Sequence, residues 1–209
     1  MARVGLGVLV SGAGTNLRAI LAAQEAPDYP AQVVAVGSNR PGCAALTIAG
    51  AAGVAVRSFP ASDYGGSPGC RDRELASWLR GQGAEILALA GYDRILQQPL
   101  LEAFPQRILN LHNSLLPSFA GTMDAVSLAL EHGVKVSGCT VHLVDERFVD
   151  GGPIVLQAAV PVLDDDTPAS LLERIHQQEW RLFPDAIRLL ATGQLRLEGR
   201  RVRRAGVPS

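Results

Sequence analysis

The chain has 209 residues, 47% of them hydrophobic and 19% charged, with a formal net charge of −1. That length supports one substantial core, and the near-neutral balance gives no general attraction to polyanions, so no nucleic-acid partner is expected. No apolar run approaches the ~20 residues of a bilayer span, and Cys43, Cys70 and Cys139 are odd in number with no paired spacing, so no membrane partner, disulfide framework or metal site is expected.

The opening run Arg3–Val10 reads as a strand. It lacks the basic lead-in of a secretion signal and runs straight into a glycine turn, so a cytoplasmic location is expected. Apolar runs then alternate with helical patterns through the first half, the signature of βαβ units and a Rossmann-like, doubly wound, mostly parallel sheet. The pattern predicts strands near 3–10, 32–37, 54–58, 85–90 and 107–111, and helices near 16–24, 43–52, 70–82 and 97–104. In the second half a helix is predicted near 125–132. The β-branched runs Val134–Val136, Cys139–Val144 and Pro153–Val160 then predict antiparallel strands that extend the sheet. Thr167 is a good N-cap for a helix from Pro168 to about Leu190, with a break predicted near Pro184. Arg200, Arg201, Arg203 and Arg204 have no aromatic residue for base stacking and read as a solvated tail.

Three stretches carry chemistry. Ser11-Gly12-Ala13-Gly14-Thr15-Asn16-Leu17 lies between the first strand and first helix, where glycines let backbone N–H groups and a helix N-terminus approach a phosphate. It is not a dinucleotide fingerprint, because Leu17 stands at the third glycine position and no acidic ribose ligand follows the second strand. Leu89–Leu96 opens from an apolar strand into a glycine turn at the carboxyl edge of the sheet, where ligands of such folds bind. Asn110 and His112 are two apart on a predicted strand end and so share a face; with Asp150 before Gly151-Gly152-Pro153 they supply an amide donor, an imidazole and a carboxylate suited to acyl transfer.

With these segments the chain resembles the folate-dependent formyltransferases, within them the phosphoribosylglycinamide formyltransferases of purine synthesis. The resemblance rests on Ser11–Leu17, Leu89–Leu96, Ile108–Pro117, Gly138–Asp145, Asp150–Gln157 and Gln177-Gln178-Glu179. It implies a formyltransferase fold in one domain over 1–209, with a nucleotide-binding half to about residue 105 and a catalytic, folate-binding half beyond. It implies formyl transfer from the co-substrate 10-formyltetrahydrofolate to glycinamide ribonucleotide, with no metal. The alternative is another 10-formyltetrahydrofolate-dependent formyltransferase or hydrolase. Both substrates are small molecules, and a monomer or homodimer is expected.

Residue by residue, the resemblance implies that Gly14, Thr15 and Asn16 hold the phosphate and Glu179 the ribose. Asp93, Arg94, Ile95 and Leu96, with Asn110 and the segment from Val144 and Asp145 to Asp150, cradle the pterin. Asn110, His112 and Asp150 are catalytic. The chain departs from the family pattern at Asn113 and Ala120, where proline is usual, in a lengthened Gly121–Val126 segment, and in a longer Glu146–Asp150 loop. That loop leaves two carboxylates for His112, Asp150 by its Gly-Gly-Pro context and Asp145 otherwise. An arginine usual before the Asp72-Arg73-Glu74 run falls at Pro68, which leaves Arg71 without a carried-over role. His142 reads equally as a site residue or a satisfied sheet histidine, and His132 and His176 as helical surface.

Overall fold

The computed structural model describes residues 2–145 and 149–204. Strands β1 (Val4–Val10), β2 (Ala31–Ser38), β3 (Ala55–Ser58), β4 (Ile86–Leu89) and β5 (Ile108–His112) pair in parallel, linked by α1 (Thr15–Gln24), α2 (Ala44–Ala51), α3 (Pro68–Gly81) and α4 (Gln98–Ala103). After α5 (Ala125–Glu131), β6 (Val136–Leu143) and β7 (Ile154–Pro161) add antiparallel. Then come α6 (Pro168–Ala191), β8 (Leu195–Glu198) and β9 (Arg201–Arg204). The order among described residues is β3-β2-β1-β4-β5-β6-β7-β9-β8.

Side-chain alternation explains the layers. On β1, Leu6, Val8 and Val10 face one side, where Leu17, Ile20, Phe183 and Ile187 of α1 and α6 cover them; Leu9 faces the other, against Leu75, Leu79 and Leu100 of α3 and α4. The chain reverses its winding between β1 and β4, so the turns after those strands diverge and open a crevice at their carboxyl ends.

Two expectations are corrected. α6 runs unbroken through Pro184. An internal proline costs a helix about 3 kcal/mol, but Phe183, Pro184, Ala186 and Ile187 are all buried, and the Tyr29 hydroxyl donates to the Pro184 carbonyl at 2.9 Å. Packing of this face outweighs the local preference. The arginine-rich stretch is strand β9, paired with β8 across Gly199. Its arginines are exposed, as a solvated stretch requires, but Leu195, Leu197 and Val202 alternate onto the core. Among the described residues no helix is long and apolar enough to cross a membrane.

Candidate active site

The crevice is a cavity of about 660 Å³. At one end the turn 12–14 leads into α1. Gly14 has φ +80°, a conformation that suits glycine, and a Cβ there would sit 2.9 Å from Ala45. Gly14 caps α1 without a side-chain hydrogen bond, so the N–H groups of the helix's first turn have no side-chain partner there, and Gly14, Thr15 and Asn16 line the cavity. Asn16 Nδ2 donates to Glu179 Oε2 at 3.0 Å, which brings α6 to this end; the buried Asn16 Oδ1 has no partner. Glu179 is 3% exposed, and burial raises its carboxyl above the usual range, with Asn16 and His176 offsetting part of the effect. His176, read from sequence as surface, lines the cavity with Nε2 3.8 Å from Glu179 Oε2. Its spacing of three residues from Glu179, one turn along a helical face, was the available signal.

At the other end β5 and β6 set the geometry. Asn110 lies opposite His142 in the ladder, and His112 opposite Thr140. Asn110 Nδ2 approaches His142 Nε2 at 3.0 Å and Asp150 Oδ1 at 3.2 Å. Asp150 Oδ2 is 3.5 Å from His112 Nδ1 and accepts the Gly121 N–H at 2.9 Å. The structure therefore joins Asp150 to Asn110 and His112. His142 belongs to the cluster too: its Nδ1 donates to the Leu143 carbonyl at 3.0 Å, because a carbonyl can only accept. A singly protonated His142 then accepts from Asn110, and a doubly protonated one faces Asp150 Oδ1 at 3.5 Å. Sequence periodicity could not find this pairing, which depends on strand register.

Burial pushes the Asp150 carboxyl up, but the imidazoles of His142 and His112 and the Gly121 N–H outweigh it and hold the group below the usual range. Asp150 adopts φ +53°, which a short polar side chain tolerates, at the head of the Gly-Gly-Pro turn. Gly152 is required there by close approach: a Cβ would come within 1.8 Å of the Leu143 carbonyl. Gly152→Ala is expected to lower unfolding free energy by about 1–3 kcal/mol and to displace Asp150, with a matching loss of activity. Chemical denaturation and an activity assay check this.

His112 Nε2 donates to the Phe119 carbonyl at 3.0 Å. Both amide hydrogens of Asn110 and this imidazole N–H are thus engaged within the protein. The loop that supplies Phe119 is pinned beneath by Thr140 and Gln157: Thr140 Oγ1 donates to the Ser114 carbonyl at 2.7 Å and Gln157 Nε2 to the Leu116 carbonyl at 3.0 Å. Ser114 Oγ is spent on the Ser118 carbonyl at 2.6 Å.

The strand exit 91–96 forms a wall of the cavity, with Leu89, Leu96 and Val144 presenting apolar surface; within it the Gly91 carbonyl accepts the Ser11 N–H at 3.1 Å and the Ile95 carbonyl the Gln97 side-chain amide at 3.2 Å. The Asp93 carboxylate does not face the cavity alone. It accepts from Asn39 Nδ2 at 2.8 Å, Ser11 Oγ at 3.1 Å and Arg40, and its own N–H donates to Ser11 Oγ at 3.0 Å. Burial raises its carboxyl but these donors together lower it below the usual range. Asp93 thereby anchors the wall to β1 and β2. Arg94 and Ile95 stand at the rim, and Asp145 lines the cavity beside Val144. Residues 146–148 of the expected pterin-facing segment lie outside the described residues.

A doubly wound sheet extended by antiparallel strands, with its cleft at the reversal of winding, is the architecture of a formyltransferase fold. The formyl transferase family profile matches residues 6–187, and the chain belongs to that family. It is 44% identical over 193 residues to phosphoribosylglycinamide formyltransferase of Mycobacterium tuberculosis, covering 92% of this chain and 87% of that protein. It is 42% identical over 195 residues to the trifunctional purine biosynthetic protein adenosine-3 of Gallus gallus, covering 93% of this chain and 19% of that protein. The chain therefore spans only about a fifth of such trifunctional relatives. Among solved structures, glycinamide ribonucleotide transformylase 1 from Symbiobacterium toebii superposes with a TM-score of 0.93 at 49% identity, covering 97% of this chain and 94% of that one.

Proposed function

We propose that the chain transfers the formyl group of 10-formyltetrahydrofolate to the amine of glycinamide ribonucleotide, yielding formylglycinamide ribonucleotide and tetrahydrofolate in purine biosynthesis. The observation that carries this reading is one cavity with the free N–H groups of α1 and the buried Glu179 at one end and Asn110, His112 and Asp150 at the other. The first end suits a phosphate and sugar hydroxyls, since the N–H groups ask for an anion while Asn16 Oδ1 and an ionised Glu179 ask for hydrogen-bond donors. The apolar wall from Leu89 to Leu96, with Val144, fits the pterin.

The substrate amine attacks the formyl carbon, and the carbonyl π pair moves to oxygen. Asn110 and protonated His112 donate to that oxyanion, each preorganised donor lowering the barrier by about 3 kcal/mol. Collapse expels N10. Asp150, 3.5 Å from His112 Nδ1, relays the amine proton toward N10 through water. His112 must first leave the Phe119 carbonyl and Asn110 must release one of its partners, so substrate entry includes displacement of the 119–121 loop.

The purified chain is expected to form formylglycinamide ribonucleotide from the two substrates, read as tetrahydrofolate release together with product mass. Release of formate without dependence on glycinamide ribonucleotide would instead mean a hydrolase. A second expected outcome concerns Glu179. A buried carboxyl with a raised pKa favours folding fully below its unfolded pKa and loses that contribution as pH rises through the folded value. Glu179→Gln is therefore expected to raise the melting temperature by about 2–4 °C at neutral pH while raising the KM for the nucleotide about tenfold. Thermal scans at pH 5 and pH 8 check the sign, because the gain should shrink at the lower pH.

A further inference from the structure

The arginines of the β8–β9 hairpin stand outside the main cavity, yet one of them reaches the turn that carries its carboxylate. The two strands turn at Gly199 and pair with Leu197 opposite Val202 and Glu198 opposite Arg201. Leu195, Leu197 and Val202 pack on the apolar cluster that also contains Leu143 and Val155, which fixes the hairpin beside the start of β7. β9 joins the sheet there, with Arg201 in parallel register with Ile154. Arg203 turns back within the hairpin, its Nε donating to Glu198 Oε2 at 2.6 Å. Arg200 reaches outward instead: its Nη2 donates to the Gly151 carbonyl at 3.0 Å.

Gly151 follows Asp150, so this bond falls on the backbone next to the carboxylate that joins Asn110 and His112. That stretch has to be held from outside. Asp150 has φ +53°, an uncommon conformation for a residue with a side chain, and the two glycines after it give the backbone little steric preference of its own. On the far side of the turn Leu143 supplies the hold, its N–H donating to the Pro153 carbonyl at 2.9 Å and its own carbonyl lying against Gly152. On the near side Arg200 supplies it. A guanidinium is permanently charged, and a charged donor bonds a carbonyl more strongly than a neutral one. With Leu143 and Arg200 gripping alternate peptides, rotation of the turn is restricted, and so is the direction in which the Asp150 side chain leaves the backbone. The carboxylate depends on that direction, because it serves the Gly121 N–H at 2.9 Å, Asn110 at 3.2 Å and His112 at 3.5 Å together.

We propose that Arg200 is a positioning residue for Asp150: the β8–β9 hairpin clamps the Gly151 carbonyl and thereby holds the carboxylate against Asn110 and His112. The inference rests on the formyl transfer reading, in which Asp150 moves a proton. Arg200 touches no reacting atom, so its contribution passes through Asp150 alone.

The test is single-turnover formyl transfer by the wild type, Arg200→Ala, Arg200→Lys, Arg203→Ala and Arg200→Ala combined with Asp150→Asn. Hydrogen exchange of the Gly121 amide, followed by NMR, reports the placement of Asp150 without turnover. Arg200→Ala is expected to slow transfer about tenfold with the nucleotide KM within about twofold of wild type, because a small displacement of a proton-moving group costs rate before it costs binding. Arg200→Lys, which keeps a charged donor, is expected to restore part of the rate, and Arg203→Ala to leave it unchanged. In the Asp150→Asn background the Arg200 change is expected to cost less than about twofold, since groups that act as a unit are not additive. The Gly121 amide is expected to exchange about fivefold faster in Arg200→Ala and at the wild-type rate in Arg203→Ala. An Arg200→Ala rate within about twofold of wild type, or an undiminished cost in the Asp150→Asn background, overturns the clamp. Equal slowing in Arg203→Ala overturns it too, by showing a general loosening of the hairpin. If wild type transfers no formyl group, the formyl transfer reading fails and Gly121 exchange decides the clamp by itself: unchanged exchange in Arg200→Ala overturns it, and faster exchange sustains the tie between Arg200 and Asp150.

Discussion

His112→Ala is expected to slow formyl transfer by roughly 10³-fold, while the affinities for nucleotide and folate change by less than about threefold. The reason is the timing of the contact. In the structure His112 donates to the Phe119 carbonyl and faces Asp150, both protein partners. Its bond to the formyl oxygen gains strength only as negative charge develops there, so the loss falls on kcat and not on ground-state binding. Single-turnover rates and separate binding titrations distinguish the two. A variant that turns over within about tenfold of wild type would remove His112 from the chemistry and leave the cleft a binding site only.

Asp150→Asn is expected to lower the rate by about 10²–10⁴-fold, since the amide keeps the shape but neither stabilises an imidazolium nor accepts the amine proton. Asp145→Asn serves as the comparison, because Asp145 also lines the cleft. Loss of turnover confined to the Asp145 variant would transfer the role. The two roles of Asp150 also separate with pH. Its folded-state pKa lies below the ordinary value, so its ionised form contributes stability that is present above the unfolded pKa and lost as pH falls through the folded one. Wild type should accordingly lose part of its stability advantage over Asp150→Asn between about pH 5 and pH 3, measured by denaturant midpoints across that range.

Much of the site was legible because it obeys the period of a strand. Asn110 and His112 share a face by spacing alone, and the residue types of the turn after β1 already mark it as a glycine-built helix entry, which Gly14 at φ +80° bears out. The alternation of apolar and helical segments likewise foretold the parallel half of the sheet. What could not be read depends on which strands meet. His142 enters the site because β6 pairs with β5 in a register that sets it against Asn110. Asp93 is tied to Ser11 and Asn39 because β1 sits between β2 and β4. Glu179, from the second half of the sequence, comes back to the α1 end of the cavity, and the 91–96 wall comes from the first half. Pro184 was misjudged because local composition spoke for a break that burial of Phe183 and Ile187 overrides. The arginine-rich stretch is solvated as read, with its arginines exposed, but partly buried Leu195 and Val202 also hold it in a strand pair that composition did not announce.

The margins of the sheet bear on how the molecule behaves in a crowded solution. Among the described residues the sheet has nine strands and ends in two whose outer backbone groups lack a strand neighbour, and such edges invite a second copy to pair and start aggregation. Here each outermost strand, β3 and β8, is only four residues long. Arg57 on β3 is engaged with Glu74, and Glu198 on β8 with Arg203 of β9, so each short border carries charge where an incoming strand would lie. The apolar strands β1, β4 and β5 are all interior to the sheet. The arginine-rich hairpin thus acts as a guard, placing a brief, charged fringe between the hydrophobic sheet and any strand that might extend it.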